Sequence, residues 1–214
     1  MRILIVTAVP AERDAVLAGG AFPHVDVLAA GVGPAAAAAG TAAALSLAPY
    51  DLVLSAGIGG GFAPAAPLGA LVVATSVTAA DLGAETPDGF VPVDELGFGT
   101  VRYDVDPELS ARIAAAARGV LPQVVEGPVL TVSTVTGSAA RAAELTARHP
   151  GAAAEAMEGF GVATAAAAAG LPVGELRTVS NAVGPRDRAA WRIPDALKAL
   201  GTAMAAVLPV LDES

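Results

Sequence analysis

The chain contains no cysteine. That excludes a disulfide framework, a thiolate metal site and a thiol nucleophile, and it fits a cytoplasmic protein. Only two histidines occur, His24 and His149, in unrelated segments. They offer no basis for a histidine metal site or a Ser-His-Asp triad. No glycine cluster runs into Gly-Lys-Ser/Thr, which excludes a P-loop. Basic residues are scarce. Twelve Lys and Arg against 21 Asp and Glu give a formal charge of -9, which disfavours nucleic acid or an anionic membrane as partner. Most of the acids also suit a solvated surface. Aromatics are 4%, and much of the 54% apolar content is alanine. Long apolar runs of membrane type are missing too. MRILIVTAVPAERD meets acids within a few residues and lacks the length and small-residue exit of a signal peptide. PAAAAAGTAAALSLAP is bounded by prolines and reads as a packed helix rather than a membrane span.

What is present is an alternation of apolar runs and helical segments. A length of 214 residues suits one domain over residues 1–214, ample for a buried core. RILIVTAV is continuous rather than alternating, the mark of a strand buried on both faces. VDVLAAG (25–31), DLVLSAG (51–57) and ALVVATSVTAA (70–80) read as further strands. A helix over 35–47 follows Pro34, placed at its first turn. Residues 83–104, rich in Gly, Pro and acids, predict a loop. A helix at 107–118 and a strand at 125–134 follow. Ser138 caps a helix running towards Arg148. GAAAEAM reads as a strand, 159–169 as a helix and VGELRTVSN as the last strand. Asp195 opens a C-terminal helix. Strands alternating with helices indicate an α/β domain around a central sheet.

Two glycine clusters follow strands. GVGPAAAAAG has the G-x-G-x-x-A spacing of a dinucleotide fingerprint. Its acid about twenty residues on, Asp51, precedes the next strand instead of ending it, where the ribose would need it. A tight strand-to-helix turn is the alternative. SAGIGGGFAPAAP is followed by Pro64 and Pro67, which oppose an immediate long helix and so a phosphate site at a helix start. A glycine-walled surface for a small ligand and a flexible turn both fit.

The acids of AEAMEGFG (154–161) stand in an alanine-rich setting; for Glu155 the expectation is an ordinary exposed acid. Glu12, in TAVPAERD, suits a surface acid opening a helix. It equally suits a site carboxylate at the carboxyl edge of the sheet, where open α/β folds place their sites.

Four pieces in order carry a resemblance over nearly the whole chain. They are a first strand ending in a turn with Glu12, the strand end AGIGGGF, a strand ending in Met157–Glu158, and a strand ending in Ser180–Asn181. This order resembles the purine nucleoside phosphorylase and nucleosidase superfamily. With ADLGAE (80–85), VDELGFG (93–99) and SNAVGPRD, it looks most like the futalosine hydrolase branch, relatives of the methylthioadenosine/S-adenosylhomocysteine nucleosidases. The resemblance implies a three-layer α/β/α sandwich with a central mixed sheet. It also implies hydrolysis of futalosine to hypoxanthine and dehypoxanthine futalosine in a menaquinone route, no cofactor or metal, a small purine nucleoside as substrate, and a homodimer or larger homo-oligomer.

The resemblance also implies roles. Glu12 matches the carboxylate that activates water, Glu158 the acid that holds the ribose hydroxyls, and Met157 the residue packed on the sugar face. Successive strand residues point to opposite faces, so Met157 and Glu158 reach one ribose only if the strand end bends. Gly57, Ile58, Thr134 and Val135 fall where the family lines its substrate pocket, without the usual stacking phenylalanine. Asn181 stands where adenine-releasing nucleosidases carry aspartate. An amide offers both an acceptor and a donor, which suits a protonated ring nitrogen 7 beside a 6-oxo group. A turn asparagine is the plain alternative, and Asp187 is a second proton-donor candidate. The phosphorylase-type arginines are missing, so water is the expected nucleophile; Arg13 is expected to face solvent. Arg186 and Arg188 are candidates for the benzoate carboxylate of futalosine, or surface arginines. Two rivals remain: an adenine-releasing nucleosidase of the same fold, and a non-catalytic nucleoside- or nucleotide-binding module built on GVGPAA.

Overall fold

The structure is a computed structural model that describes residues 1–20 and 22–212. In chain order the elements are β1 (Ile3–Thr7), α1 (Pro10–Ala18), β2 (Val25–Ala29), α2 (Pro34–Leu47), β3 (Leu52–Gly61), β4 (Leu71–Ala79), β5 (Gly83–Thr86) and β6 (Gly89–Pro92). They continue as β7 (Arg102–Asp104), α3 (Pro107–Arg118), β8 (Val124–Thr131), α4 (Ala139–Arg148), β9 (Ala154–Ala156), α5 (Gly159–Ala168), β10 (Val173–Ala182), a 3-10 turn (Arg188–Ala190) and α6 (Ile193–Asp212). Local chemistry sets several ends. Pro34 opens α2 after Gly33, Asp106 accepts from the N–H groups of Glu108 and Leu109 to start α3, and Ser138 accepts from Arg141 N–H to start α4.

The sheet is mixed, and its middle closes on itself. β3 runs parallel to β10 and β10 antiparallel to β4; β4 and β8 are parallel, as are β8 and β9; β9 returns antiparallel to the end of β3. The first half of β3 carries the parallel extension to β1 and β2. Period-two alternation divides the core. Ile3, Ile5, Leu52 and Leu54 face Val16 of α1, Ile113 of α3 and Leu200, Met204 and Val207 of α6. Leu4, Val6 and Val53 face Ala37 of α2 and Val162, Ala163 and Ala166 of α5. This is the α/β/α layering expected, and it explains why β1 is apolar without interruption.

Two expectations needed correction. Residues 83–104 are not a plain loop: β5 and β6 form a hairpin and β7 joins the edge of β4. β3 continues through Gly59, Gly60 and Gly61, so the glycine triplet is extended sheet, neither a turn nor a helix start. α6 is long and apolar enough by length and composition to cross a membrane, but Leu200, Ala203, Met204, Val207, Leu208 and Leu211 are buried in the core.

Candidate active site

At the carboxyl ends of β1, β3, β9 and β10 lies a cavity of about 310 Å³. Its walls include Glu12, Val32, Ile58, Val135, Met157, Glu158, Asn181 and Trp191. A larger hollow of about 680 Å³ lies between α1 and α6, but apart from Lys198 its lining is uncharged and mostly alanine and glycine; it holds no carboxylate.

Glu12 sits in the first turn of α1 and is buried. Its Oε2 accepts from the backbone N–H groups of Ala8 (2.9 Å) and Val9 (3.3 Å), and its Oε1 from Ile58 N–H (2.9 Å). Glu12 is therefore no surface acid: it opens the helix as one would, but from a buried position that also faces the cavity. A carboxylate has about four acceptor positions, and three are occupied, leaving one on Oε1 for a solvent molecule. Gly57 lies directly beneath; a Cβ there would stand 2.5 Å from Glu12 Oε1 and 2.7 Å from Arg177 Nη1.

Glu158 follows the end of β9. Its φ and ψ of -112° and -33° turn the chain, and this bend lets both Met157 and Glu158 line the cavity. Glu158 Oε1 accepts from Gly33 N–H at 3.2 Å, and Oε2 stands 3.2 Å from Arg177 Nη1. The close start of α5 against α2 makes this reach possible. Gly161 abuts the carbonyl of Pro34, where any Cβ would collide. The dinucleotide-like turn is thereby explained: Gly33, at φ +94°, aims its amide at a carboxylate of the same chain, not at a pyrophosphate.

Arg177 is fully buried between strands. Its Nε donates to Glu175 Oε1 and its Nη2 to Ser55 Oγ, each at 2.8 Å. Burial works against its charge, but Glu175, Glu158 and Glu12 outweigh it and hold the guanidinium above its ordinary value. Burial pushes Glu175 up while Arg177 pulls it down. One guanidinium thus faces three carboxylates, and the floor of the site is net negative. Asn181 Oδ1 accepts from Ser180 Oγ (2.9 Å) and its Nδ2 donates to the Ala182 carbonyl (3.1 Å). One acceptor position and one N–H of the amide remain free.

Of the residues singled out in the sequence, Glu12, Ile58, Val135, Met157, Glu158 and Asn181 converge on this cavity, with Gly57 packed behind Glu12. Thr134 is exposed next to Val135 and is not part of the wall. Asp187 caps the 3-10 turn by accepting from Ala189 N–H, and its carboxylate is exposed outside the wall. Arg186 and Arg188 hold their guanidinium carbons 5.7 and 5.9 Å from the ring centroid of Trp191. Arg13 pairs with exposed Asp14. Glu155 corrects its expectation: it is buried and lines the cavity, because residue 155 pairs with β3 and β8 on both sides.

Comparison with known proteins agrees with this geometry. The profile of the Phosphorylase superfamily matches residues 9–211. The chain is 60% identical to the futalosine hydrolase of Streptomyces coelicolor, over 99% of this chain and 97% of that protein. The chain belongs to the futalosine hydrolase family. Another family member, from Acidothermus cellulolyticus, is 51% identical over 95% of this chain and 89% of its own. Among solved structures, the fold is shared with a 5'-methylthioadenosine/S-adenosylhomocysteine nucleosidase from Colwellia psychrerythraea in complex with adenine. It has a TM-score of 0.84 at 22% identity, covering 99% of this chain and 96% of that one. It is shared equally with the futalosine hydrolase of Helicobacter pylori, at a TM-score of 0.82 and 19% identity, covering 100% and 98%.

Sequence reasoning missed three parts of this futalosine hydrolase family site. Arg177 and Glu175 are charged residues two apart in an otherwise apolar strand, and that placement was a signal, since both must point to one face. Trp191, the single tryptophan, stands among arginines. Val32 left no signal beyond its glycine neighbours.

Proposed function

We propose that this cavity hydrolyses the N-glycosidic bond of futalosine, releasing hypoxanthine and dehypoxanthine futalosine, a step in menaquinone biosynthesis. The observation that carries the reading is that two buried carboxylates, Glu12 and Glu158, open on one cavity with Asn181 in its wall. As the bond to the purine lengthens, positive charge grows on the sugar, and the net-negative floor stabilises it. Glu12 takes a proton from water through its free Oε1 position, and the resulting hydroxide bonds to the anomeric carbon. The bonding pair leaves with the purine, whose nitrogen 7 takes a proton from solvent while Glu12 returns its own to solvent, so that one water is added overall. Glu158, held by Gly33 and Arg177, accepts from the ribose hydroxyls, and Met157 packs on the sugar. The free acceptor of Asn181 receives the N7–H, and its free N–H donates to the 6-oxo group.

Substrate roles follow the same geometry. Ile58 and Val135 contribute apolar wall, and Gly57 leaves room for Glu12. Trp191, flanked by Arg186 and Arg188, offers a ring face and cations for the benzoate end. Asp187 serves to cap the turn that carries them. Leu47, Leu96 and Phe98 are exposed apolar side chains open to a partner copy, and we read the enzyme as a cytoplasmic homodimer or larger assembly.

The test is incubation with futalosine, inosine and methylthioadenosine in phosphate-free buffer. Futalosine should yield hypoxanthine at a rate unchanged by added phosphate, with no sugar 1-phosphate formed. A phosphate ester product would make the reaction phosphorolysis; no released base from any of the three would favour a binding module.

A further inference from the structure

Glu155 has no part in the chemistry above, yet it is a buried carboxylate in the wall of the reaction cavity. Its Oε1 accepts from Thr136 N–H at 2.8 Å, and its Oε2 accepts from the Thr136 hydroxyl. Among the described residues no cation contacts it. Burial pushes it above the ordinary glutamate range, with the Thr136 hydrogen bonds and more distant Arg141 opposing. A carboxylate held in this way without a cation is costly to bury. Bracing Thr136 alone would be served as well by a neutral amide.

Register shows what Glu155 faces. On β3, Gly60 pairs with Glu155 of β9 on one side and with Asn181 of β10 on the other. Directly paired residues point to the same face of a sheet. Neighbouring strands lie about 4.8 Å apart, which puts the Glu155 and Asn181 backbones roughly 10 Å apart. The residue between them has no side chain. The two polar groups therefore flank Gly60, where a Cβ would stand only 2.9 Å from Val183 Cγ2 and 3.2 Å from Asn181 Nδ2, while all three of Gly60, Glu155 and Asn181 line the cavity. Around a hypoxanthine ring the order is N7, the 6-oxo oxygen, then N1–H. With Asn181 on the first two, the next group is a donor.

We infer that Glu155 is a specificity-determining residue that accepts the N1–H of the 6-oxopurine and so rejects a 6-aminopurine, whose N1 is an acceptor. This rests on the proposed futalosine reading. Oε2 keeps one acceptor position after receiving the Thr136 hydroxyl, and that position faces N1.

Glu155→Gln separates this role from bracing. Thr136 N–H fixes the amide oxygen at the Oε1 position, and the new NH2 donates to the Thr136 hydroxyl, so both contacts survive. The second amide hydrogen then points at N1, where adenine accepts and hypoxanthine does not. The ratio of kcat/KM for futalosine to that for its 6-amino counterpart should fall by roughly a hundredfold or more, one hydrogen bond being lost on one substrate and gained on the other. An unchanged ratio in an active, folded variant overturns the inference and leaves Glu155 as a brace. Wild-type turnover is measured first: a wild type that releases no hypoxanthine from futalosine fails the proposed function instead. A second measurement needs no variant. Wild-type protein should bind hypoxanthine at least about tenfold more tightly than 1-deazahypoxanthine, which carries C–H in place of N1–H; equal affinities overturn the inference.

Discussion

Glu12→Gln should lower kcat on futalosine by at least about a hundredfold, the usual scale for losing a general base. The substitution is isosteric, but an amide cannot satisfy the same donors. Ala8 and Val9 N–H point at Oε2, and Ile58 N–H at Oε1, so whichever way the amide turns, its NH2 opposes a backbone donor. That mismatch should also lower stability by about 1–3 kcal/mol. Turnover measured on protein shown to be folded by its melting transition keeps the two effects apart. A folded Glu12→Gln enzyme with near-normal kcat would remove Glu12 from the chemistry and leave it as the brace of α1.

Glu158→Gln carries the second large effect, and it acts on two levels. The carboxylate is one of the anions around Arg177, 3.2 Å from Nη1. Breaking a buried pair by removing one partner costs about 3–5 kcal/mol, although Glu175 still holds Nε and softens the loss. At the site, the charge that stabilises the developing cation and binds the ribose hydroxyls is lost. kcat/KM should drop by about two orders of magnitude or more, together with a lower melting temperature. A substrate lacking the ribose 2'- and 3'-hydroxyls should discriminate less between wild type and variant, since part of the lost interaction was never available to it. A variant that melts earlier but keeps its kcat/KM would mark Glu158 as a purely structural ion-pair member.

Much of the architecture was legible because periodicity reports burial directly. β1 reads apolar throughout because Ile3 and Ile5 serve one core and Leu4 and Val6 the other. α4 ran where its Ser138 cap predicted. Closure of the strands was not legible: the return of β9 to the end of β3 is a tertiary pairing of only two residues, Gly60 with Glu155 and Gly61 with Ala154. The hairpin within 83–104 was hidden because glycine and proline mark turns without saying whether strands lie between them. In the site, Glu12, Met157, Glu158 and Asn181 were found through resemblance, and their strand-end positions made physical sense of it. Glu155 was misjudged because an acid between alanines reads as surface, whereas burial depends on which strands lie alongside. Arg177 and Glu175 were passed over as part of a strand, although a paired opposite charge two residues apart is one of the few ways a strand can bury ions.

The most direct measurement of the central claim is the ratio of kcat/KM for futalosine to that for its 6-amino counterpart, in wild type and in Asn181→Asp. Wild type should favour the 6-oxo substrate strongly. In the variant an acceptor replaces the amide N–H opposite the 6-oxo oxygen, and a lost hydrogen bond to a buried polar group of about 1–3 kcal/mol should shift the ratio towards the 6-amino compound by roughly tenfold to a hundredfold. A wild type that prefers the 6-amino substrate, or a ratio untouched by Asn181→Asp, would contradict the assignment of this cavity to a 6-oxopurine nucleoside.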